Sequence, residues 1–224
     1  MDKPTYRLVP TFCFGKYHHC IGGKDWNYDP QNSYEKFSQP THILTLDLRD
    51  PVFQKTFHCG QNELPIYAYT DPELIGEVQA YSVIGPQRKV VFERPTHKSN
   101  DLRTPKHQPF VFPITPCKIE ILPQNQLCLD ETSYWNACDH FLGCSENTPD
   151  LSVIRILGEP VWLEYVVTEM CECGQNMSHI LSIGYDVSQN SPYIPGDMFM
   201  FGELALYYFF CSHCFKFHVF SQSS

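Results

Sequence analysis

Four cysteines near the end of the chain stand in two short pairs whose residue type and spacing are typical of a metal site. The first pair is Cys171 and Cys173, and the second pair is Cys211 and Cys214. The 37 residues between the pairs are enough for two or three strands and their turns. Thiolate sulfur is a preferred ligand of Zn²⁺, and two pairs on separate tight turns can complete a tetrahedron. The spacing therefore predicts one structural zinc ion bound by all four cysteines.

The residues around the pairs fit this hypothesis. Gly174 directly follows the first pair, where a tight turn often needs a residue that tolerates positive φ. The apolar run Leu204–Phe210 precedes the second pair and predicts a fully buried strand that delivers the turn. The first pair is C-x-C, which is tighter than the commoner C-x-x-C. Buried thiols and redox-active thiols remain the alternatives to a metal site.

Catalytic motifs are mostly missing from the sequence. Neither a G-x-S-x-G nor an H-E-x-x-H pattern occurs. Glu172 lies between two predicted ligands and could act as a base on an open metal site, but a four-thiolate site has no open position. His213 and His218 are conceivable substitute ligands, although solvated or packed side chains are the favoured interpretation. The adjacent residues of His18-His19-Cys20 would alternate across a strand, which disfavours convergence on one ion.

Charge and cysteine content restrict the partners and the compartment. The 224 residues carry a formal net charge of −9, which disfavours nucleic acid and favours a basic protein as a partner. The eleven cysteines are an odd number and no secretory signal occurs, so we expect reduced thiols in the cytoplasm. No apolar run is long enough to span a bilayer, so no membrane association is expected.

Apolar patterning predicts a mainly β protein, of β-rich α+β class. Residues 95–109 are polar with three prolines and are the best linker candidate, and Asp130–Leu142 has the clearest helical pattern. The predicted strands are His42–Leu48, Leu64–Tyr69, Val78–Ile84, Lys89–Glu93, Phe110–Phe112, Lys118–Leu122 and Leu204–Phe210, with one extended segment broken by proline over Arg7–Phe14.

Three blocks of the first half recur in the same order in the second half, which indicates an internal duplication. The pairs of blocks are Gly22 to Trp26 with Gly158 to Trp162, His42–Leu46 with His179–Ile183, and Leu64–Ala68 with Leu204–Tyr208. The matched tryptophans favour core packing over ligand stacking. We therefore expect two pseudo-equivalent repeats, residues 1–105 without metal ligands and residues 106–224 with the zinc site, packed as one body.

These residues together resemble the YwqG-like family, a duplicated β-rich domain largely without assigned function. The matching residues are Gly22, Gly23, Trp26, Gly158, Pro160, Trp162, Cys171, Cys173, Gly174, Met177, Cys211 and Cys214. The programmed-cell-death-2 and ribosome-maturation proteins of eukaryotes show a related layout of Gly-Gly-x-x-Trp and cysteine pairs. The C-x-C pair and Ser182, where family members often carry glutamine, depart from the family pattern.

Three classes of function follow from these observations. The first, which the resemblance favours, is a non-enzymatic protein-binding module of adaptor, client-chaperone or toxin-immunity type. The second is a zinc-dependent hydrolase with an open metal site, and the third is a redox or metal-buffering protein. Tyr185 and Tyr193 are candidate contact residues for a protein partner. The sequence leaves the oligomeric state open.

Overall fold

The computed structural model describes residues 4–23, 25–29, 39–54, 56–57, 60–69, 78–93, 111–122, 154–184 and 204–223. In this part of the chain the protein is mainly β, with twelve strands in one sheet and one short helix, α1 (Pro51–Gln54). The predicted linker at 95–109, the predicted helix Asp130–Leu142, and both Tyr185 and Tyr193 lie outside the described residues.

The strands confirm most of the segments that apolar patterning predicts. Their bounds are β1 Tyr6–Pro10, β2 His19–Ile21, β3 Asn27–Asp29, β4 Thr41–Asp47, β5 Glu63–Ala68, β6 Gln79–Ile84, β7 Lys89–Phe92, β8 Thr115–Ile121, β9 Ile154–Ile156, β10 Ser178–Ile183, β11 Leu204–Cys211 and β12 Lys216–Ser223. Gly85–Gln87 forms a 3₁₀ turn between β6 and β7.

One predicted strand is wrong in its described residues, and one predicted extended segment is confirmed only in its first half, Arg7–Pro10. Val111 and Phe112 are irregular, and the apolar side chain of Phe112 is buried in the main core. The first strand stops at Pro10 and does not continue to Phe14, and Phe12 is 89% exposed. In both cases a short apolar run was mistaken for a strand.

The sheet runs in the order β3-β7-β6-β12-β11-β10-β9-β1-β8-β2-β4-β5. Among the strands of the described residues, β3 and β7 pair in parallel and the other neighbouring strands pair antiparallel. The β6–β7 hairpin follows β5 in the chain but lies far from β5 in the strand order. It pairs with the edge of β12 that faces away from β11. Strands from both halves of the sequence therefore build one continuous sheet.

Strand β11 is buried on both faces, as its unbroken apolar sequence predicts. Leu206, Tyr208 and Phe210 face the main core, which also takes side chains from β4, β5, β6 and β7. The alternate residues of β11 face a second, smaller cluster on the other side of the sheet. That cluster consists of Leu163, Cys171, Met177, Ala205, Tyr207, Phe209 and Cys211. The second cluster is the one that contains two of the predicted ligands.

The sheet is rolled, so that β5 at one end meets β6 near the other end. The Tyr81 hydroxyl accepts a hydrogen bond from the backbone N–H of Tyr67 at 3.1 Å and donates to the carbonyl of Pro65 at 3.3 Å. The Gln79 amide accepts from the N–H of Tyr69 at 2.8 Å and donates to the carbonyl of the same residue at 3.2 Å. Side chains of β6 therefore satisfy backbone groups on the free edge of β5.

The pairing around the middle of the sheet is similar on its two sides. The central strands β1 and β8 pair with each other, β8 continues outward to β2, β4 and β5, and β1 continues to β9, β10 and β11. Both β4–β5 and β10–β11 shift register once, after His42 and after His179 respectively. The N–H of Gly22 donates to the carbonyl of Ile43 at 2.6 Å, and that of Leu157 to the carbonyl of Ile180 at 2.8 Å.

The strand pairing matches different residues of the two halves from those that the sequence blocks match. His42 lies opposite Tyr67, and His179 lies opposite Phe209. Tyr67 therefore corresponds to Phe209, two residues beyond the Tyr207 that the sequence blocks align with it. Similarly, Gly22 corresponds to Leu157 and not to Gly158.

Both matched tryptophans pack against neighbouring side chains, in agreement with the interpretation from sequence. Trp26 is buried, and the guanidinium carbon of Arg88 lies 5.5 Å from the centre of its ring. Trp162 is half-buried and stacks on Tyr207, with 4.8 Å between ring centres.

In the part of the chain that the structure describes, no helix has both the length and the apolar character needed to span a bilayer.

Gly22 is a position where any side chain should destabilise the fold. Its φ is +70°, and a Cβ placed there would lie 2.6 Å from the carbonyl oxygen of Phe112, a backbone atom that cannot easily move. We expect Gly22→Ala to lower the free energy of unfolding by about 2 kcal/mol or more, through backbone strain and this contact. Urea denaturation measures the loss. Gly15→Ala is the matched control, because its Cβ would meet no described atom within 4 Å; equal midpoints for the two variants would contradict the argument.

Candidate metal centre

The first cysteine pair lies on a tight turn closed by backbone hydrogen bonds. Met170 and Asn176 form an isolated antiparallel bridge. Within it, the N–H of Cys171 donates to the carbonyl of Gln175 at 2.9 Å, and the N–H of Gly174 donates to the carbonyl of Cys171 at 2.8 Å. Gly174 has a φ of +81°, which confirms the expectation for the residue after the pair. The turn therefore holds Cys171 and Cys173 close together.

The second pair lies on the turn that joins β11 to β12. Cys211 is the last residue of β11, where it pairs with Lys216. The N–H of Phe215 donates to the carbonyl of Cys211 at 2.8 Å, and Phe215 has a φ of +57°. The buried strand before this turn was predicted from sequence, but the left-handed conformation of Phe215 was not, because nothing in an aromatic residue type signals it.

The two turns bring the four sulfur atoms together. The Sγ atoms of Cys171, Cys173, Cys211 and Cys214 all lie within 4.8 Å of one another. The Sγ atoms of Cys173 and Cys211 are 3.7 Å apart. A tetrahedral zinc ion with Zn–S bonds of about 2.3 Å separates its sulfur ligands by about 3.8 Å. The donor set and its spacing therefore fit a zinc ion.

The same distance excludes a disulfide between Cys173 and Cys211 in this structure. A disulfide bond measures about 2.05 Å, far less than the 3.7 Å that separates these two sulfur atoms. The seven cysteines in the part of the chain that the structure describes are all free thiols.

The thiols of the cluster shift one another's pKa values, and a cation at the centre would remove the repulsion between their ionised forms. The backbone N–H of Gln175 donates to the sulfur of Cys173 and lowers the pKa of this thiol to about 7. The thiol of Cys173 in turn raises the pKa of Cys214 to about 12, and burial raises the pKa of Cys171. Ionisation of Cys173 therefore opposes ionisation of Cys214, because neighbouring thiolates repel each other. A divalent cation removes this repulsion and deprotonates its thiol ligands.

The two ligands of each pair differ in exposure. Cys171 and Cys211 are 3% and 1% exposed and belong to the smaller apolar cluster. Cys173 and Cys214 are exposed. The cluster therefore has an inner side packed against the sheet and an outer side that faces solvent.

The carboxylate of Glu172, the candidate base, forms an ion pair with Lys216. The carboxylate lies 2.9 Å from the Nζ atom of Lys216, and Lys216 holds the pKa of Glu172 below its usual value. The Glu172 side chain is 80% exposed. A carboxylate whose negative form is stabilised in this way is a weak base, so the geometry does not support catalysis by Glu172.

Lys216 also connects the centre to β7 of the first half. Its Nζ atom lies 2.7 Å from the carboxylate of Glu93, which directly follows that strand. The carbonyl of Phe215 accepts a hydrogen bond from the N–H of Val83 in β6 at 2.8 Å. Sequence reasoning missed both contacts, since only the pairing of β12 with β6 brings these distant residues together.

The histidines considered from sequence do not join the centre. His218 contacts the carboxylate of Glu169 at 2.8 Å through Nδ1, and His213 is exposed. The metal-ligating group that the described residues form around this site contains the four cysteines alone.

His18, His19 and Cys20 do not form a metal cluster with other described residues. Both ring nitrogens of buried His19 are used: Nε2 lies 3.1 Å from the carboxylate of Asp50, and Nδ1 accepts the N–H of Asp47 at 3.0 Å. His19 therefore connects β2 to the loop after β4, which favours a structural role.

Comparisons of the chain with protein-family models, with curated proteins and with solved structures found no match in any of the three.

Proposed function

We propose that the chain is a non-enzymatic protein-binding module with a structural zinc ion bound by Cys171, Cys173, Cys211 and Cys214. The observation that carries this proposal is the convergence of four sulfur atoms within 4.8 Å of one another. Four thiolate ligands saturate a tetrahedral zinc ion and leave no position for a water or substrate. The metal then stabilises a scaffold, and the surface of that scaffold performs the function.

The charge of the second half supports a basic protein as the partner. In the described residues 154–184 and 204–223, the only two Lys or Arg residues are Arg155 and Lys216, and both are buried. Glu159, Glu164 and Glu172 are exposed in the same part of the chain. A surface of this sign repels nucleic acid and attracts Lys- and Arg-rich proteins.

We further propose that the chain is a YwqG-like protein whose halves, 1–105 and 106–224, are duplicated repeats working in the cytoplasm. The support for duplication is the corresponding register shifts after His42 and His179 and the corresponding hydrogen bonds to Ile43 and Ile180. The support for a reducing compartment is the set of free thiols in the described residues. An adaptor, a client chaperone and a toxin-immunity protein all fit such a scaffold.

Affinity purification from the native cell across a salt series tests the binding role. Proteins rich in Lys and Arg should co-elute at low salt and be lost as the salt concentration rises, because screening weakens attraction between exposed charges. Glu159→Gln should weaken this capture, whereas Gln54→Lys, which changes the net charge by the same +1 at the exposed end of α1, is the matched control. A hydrolase screen runs in parallel. The proposal fails if no protein co-purifies at any salt concentration and a substrate is turned over only by the zinc-loaded protein.

A further inference from the structure

The outer side of the cysteine cluster is open to reagents in solvent. The residues Glu172, Cys173, Gly174, Gln175 and Asn176 of the first turn are all exposed. A Cβ added to Gly174 would meet no described atom within 4 Å. In the second turn, Ser212, His213 and Cys214 are exposed as well. Cys173 and Cys214 are thus the ligands that a small oxidant reaches first.

The inner side is protected. Cys171 and Cys211 are 3% and 1% exposed, and Cys211 ends the fully buried strand β11. The Sγ atoms of all four cysteines nevertheless lie within 4.8 Å of one another, so a modest movement of the two exposed turns brings the outer sulfurs to bonding distance.

We propose that Cys173 and Cys214 form an oxidation site, at which hydrogen peroxide links the two side chains in a disulfide and releases the metal. This inference rests on the proposed zinc site and goes beyond the binding role. Metal-bound cysteines are thiolates, and the thiolate is the nucleophile in reactions with peroxides. Exposure and a neighbouring second thiol are the features of redox-sensing cysteines.

The chemistry balances with one peroxide for each disulfide. The thiolate of Cys173 attacks one oxygen of hydrogen peroxide, the O–O bond breaks, and the products are a sulfenic acid and hydroxide. The thiolate of Cys214 then attacks the sulfenic sulfur, forms the S–S bond and expels a second hydroxide. Both hydroxides take protons from solvent and become water. The two sulfurs have given up two electrons, and Cys171 and Cys211 alone bind zinc far more weakly than four thiolates do.

The experiment titrates full-length, zinc-loaded protein with hydrogen peroxide. Elemental analysis first establishes that the starting protein contains zinc, so a failure of the proposed site is distinguished from a failure of the oxidation. Zinc release is followed with a colorimetric chelator, and oxidised cysteines are identified by differential alkylation and tandem mass spectrometry. We expect about one zinc released per peroxide consumed, a Cys173–Cys214 disulfide, and recovery of zinc binding after reduction with dithiothreitol and added zinc.

Cys13→Ser is the matched control, because Cys13 is exposed but lies outside the cluster. This variant should release zinc at the same peroxide concentration as the wild type and form the same disulfide. The proposal is overturned if Cys13 or another thiol is oxidised while zinc is retained. It is equally overturned if the disulfide formed with zinc release includes Cys171 or Cys211, or if the starting protein contains no zinc.

Discussion

Cys211→Ser is expected to abolish zinc binding and to unfold at least the region from β10 to β12. Cys211 is buried in the smaller apolar cluster and is one of the four converging thiols. Structural zinc contributes about 10–16 kcal/mol in small zinc-binding peptides, whereas whole domains are stable by only about 5–15 kcal/mol. Loss of one ligand therefore removes a large part of the stability of this region. Elemental analysis and thermal melts followed by circular dichroism, with and without a chelator, measure the effect.

The control for this variant is Cys13→Ser, which changes an exposed thiol outside the cluster and should alter stability by less than about 0.5 kcal/mol. A wild-type protein that lacks metal, and melts at the same temperature with and without chelator, would refute the zinc site.

Metal removal should also loosen a strand of the first half. The N–H of Val83 in β6 donates to the carbonyl of Phe215 in the second cysteine turn, and Lys216 pairs with Glu93 and Glu172. When the turn loses its metal, we expect the Val83 amide to exchange with solvent deuterium faster, whereas amides in the β2–β4 ladder keep more of their protection. Equal loss of protection in both places would show that the metal stabilises the sheet as a whole.

Acidification from pH 7 to pH 5 is expected to lower the free energy of unfolding by about 2 kcal/mol for each of two histidines. Burial lowers the pKa of His42 and of His179 to about 4, whereas a histidine in the unfolded chain titrates near its ordinary 6.5. Between these values the unfolded chain binds more protons than the folded protein. Stability is therefore present above pH 6.5 and decreases as the pH falls towards 4. Urea denaturation at several pH values measures this loss.

Two single variants separate the histidines from the rest of the protein. His179→Phe replaces a ring that packs against Trp162 and Phe209, and His42→Gln keeps a polar group near the hydroxyl of Thr45, 3.0 Å from Nε2. Each variant should lose about 2 kcal/mol less than the wild type between pH 7 and pH 5. Zinc release in acid affects all three proteins alike, so it does not account for a difference. An unchanged pH profile in either variant would contradict the role of that residue.

The two cysteine pairs could be recognised from sequence because the turn that holds each pair is local. Each pair is held by a short turn, and the residues that make the turns, such as Gly174, lie next to the ligands in the chain. The buried strand β11 was predictable for the same reason, since a run of apolar residues has few other solutions. These features depend on residues within a few positions of one another.

The order of the strands could not be predicted in this way. Apolar periodicity shows that a strand exists but does not show which free edge it joins, and so the addition of the β6–β7 hairpin to β12 was missed. In the ladders Tyr67 takes the place that Phe209 takes, two residues from the match that the sequence blocks give. Both ladders have the same register shift, and the difference arises because the segment between β10 and β11 is longer than the segment between β4 and β5. The ion pair of Lys216 with Glu93 depends on the addition of the β6–β7 hairpin to β12.

The covered edge of β5 limits how this protein meets other chains. Exposed strand edges recruit further strands and are starting points for fibril growth. On β5, Pro65 has no N–H to offer, the N–H of Tyr67 is taken by Tyr81, and that of Tyr69 is taken by Gln79. A foreign strand would have to displace these side chains before it could pair with the N–H groups of Tyr67 and Tyr69. The protein therefore resists edge-to-edge aggregation at this part of β5, because a chain that meets it cannot extend the sheet without first breaking these hydrogen bonds.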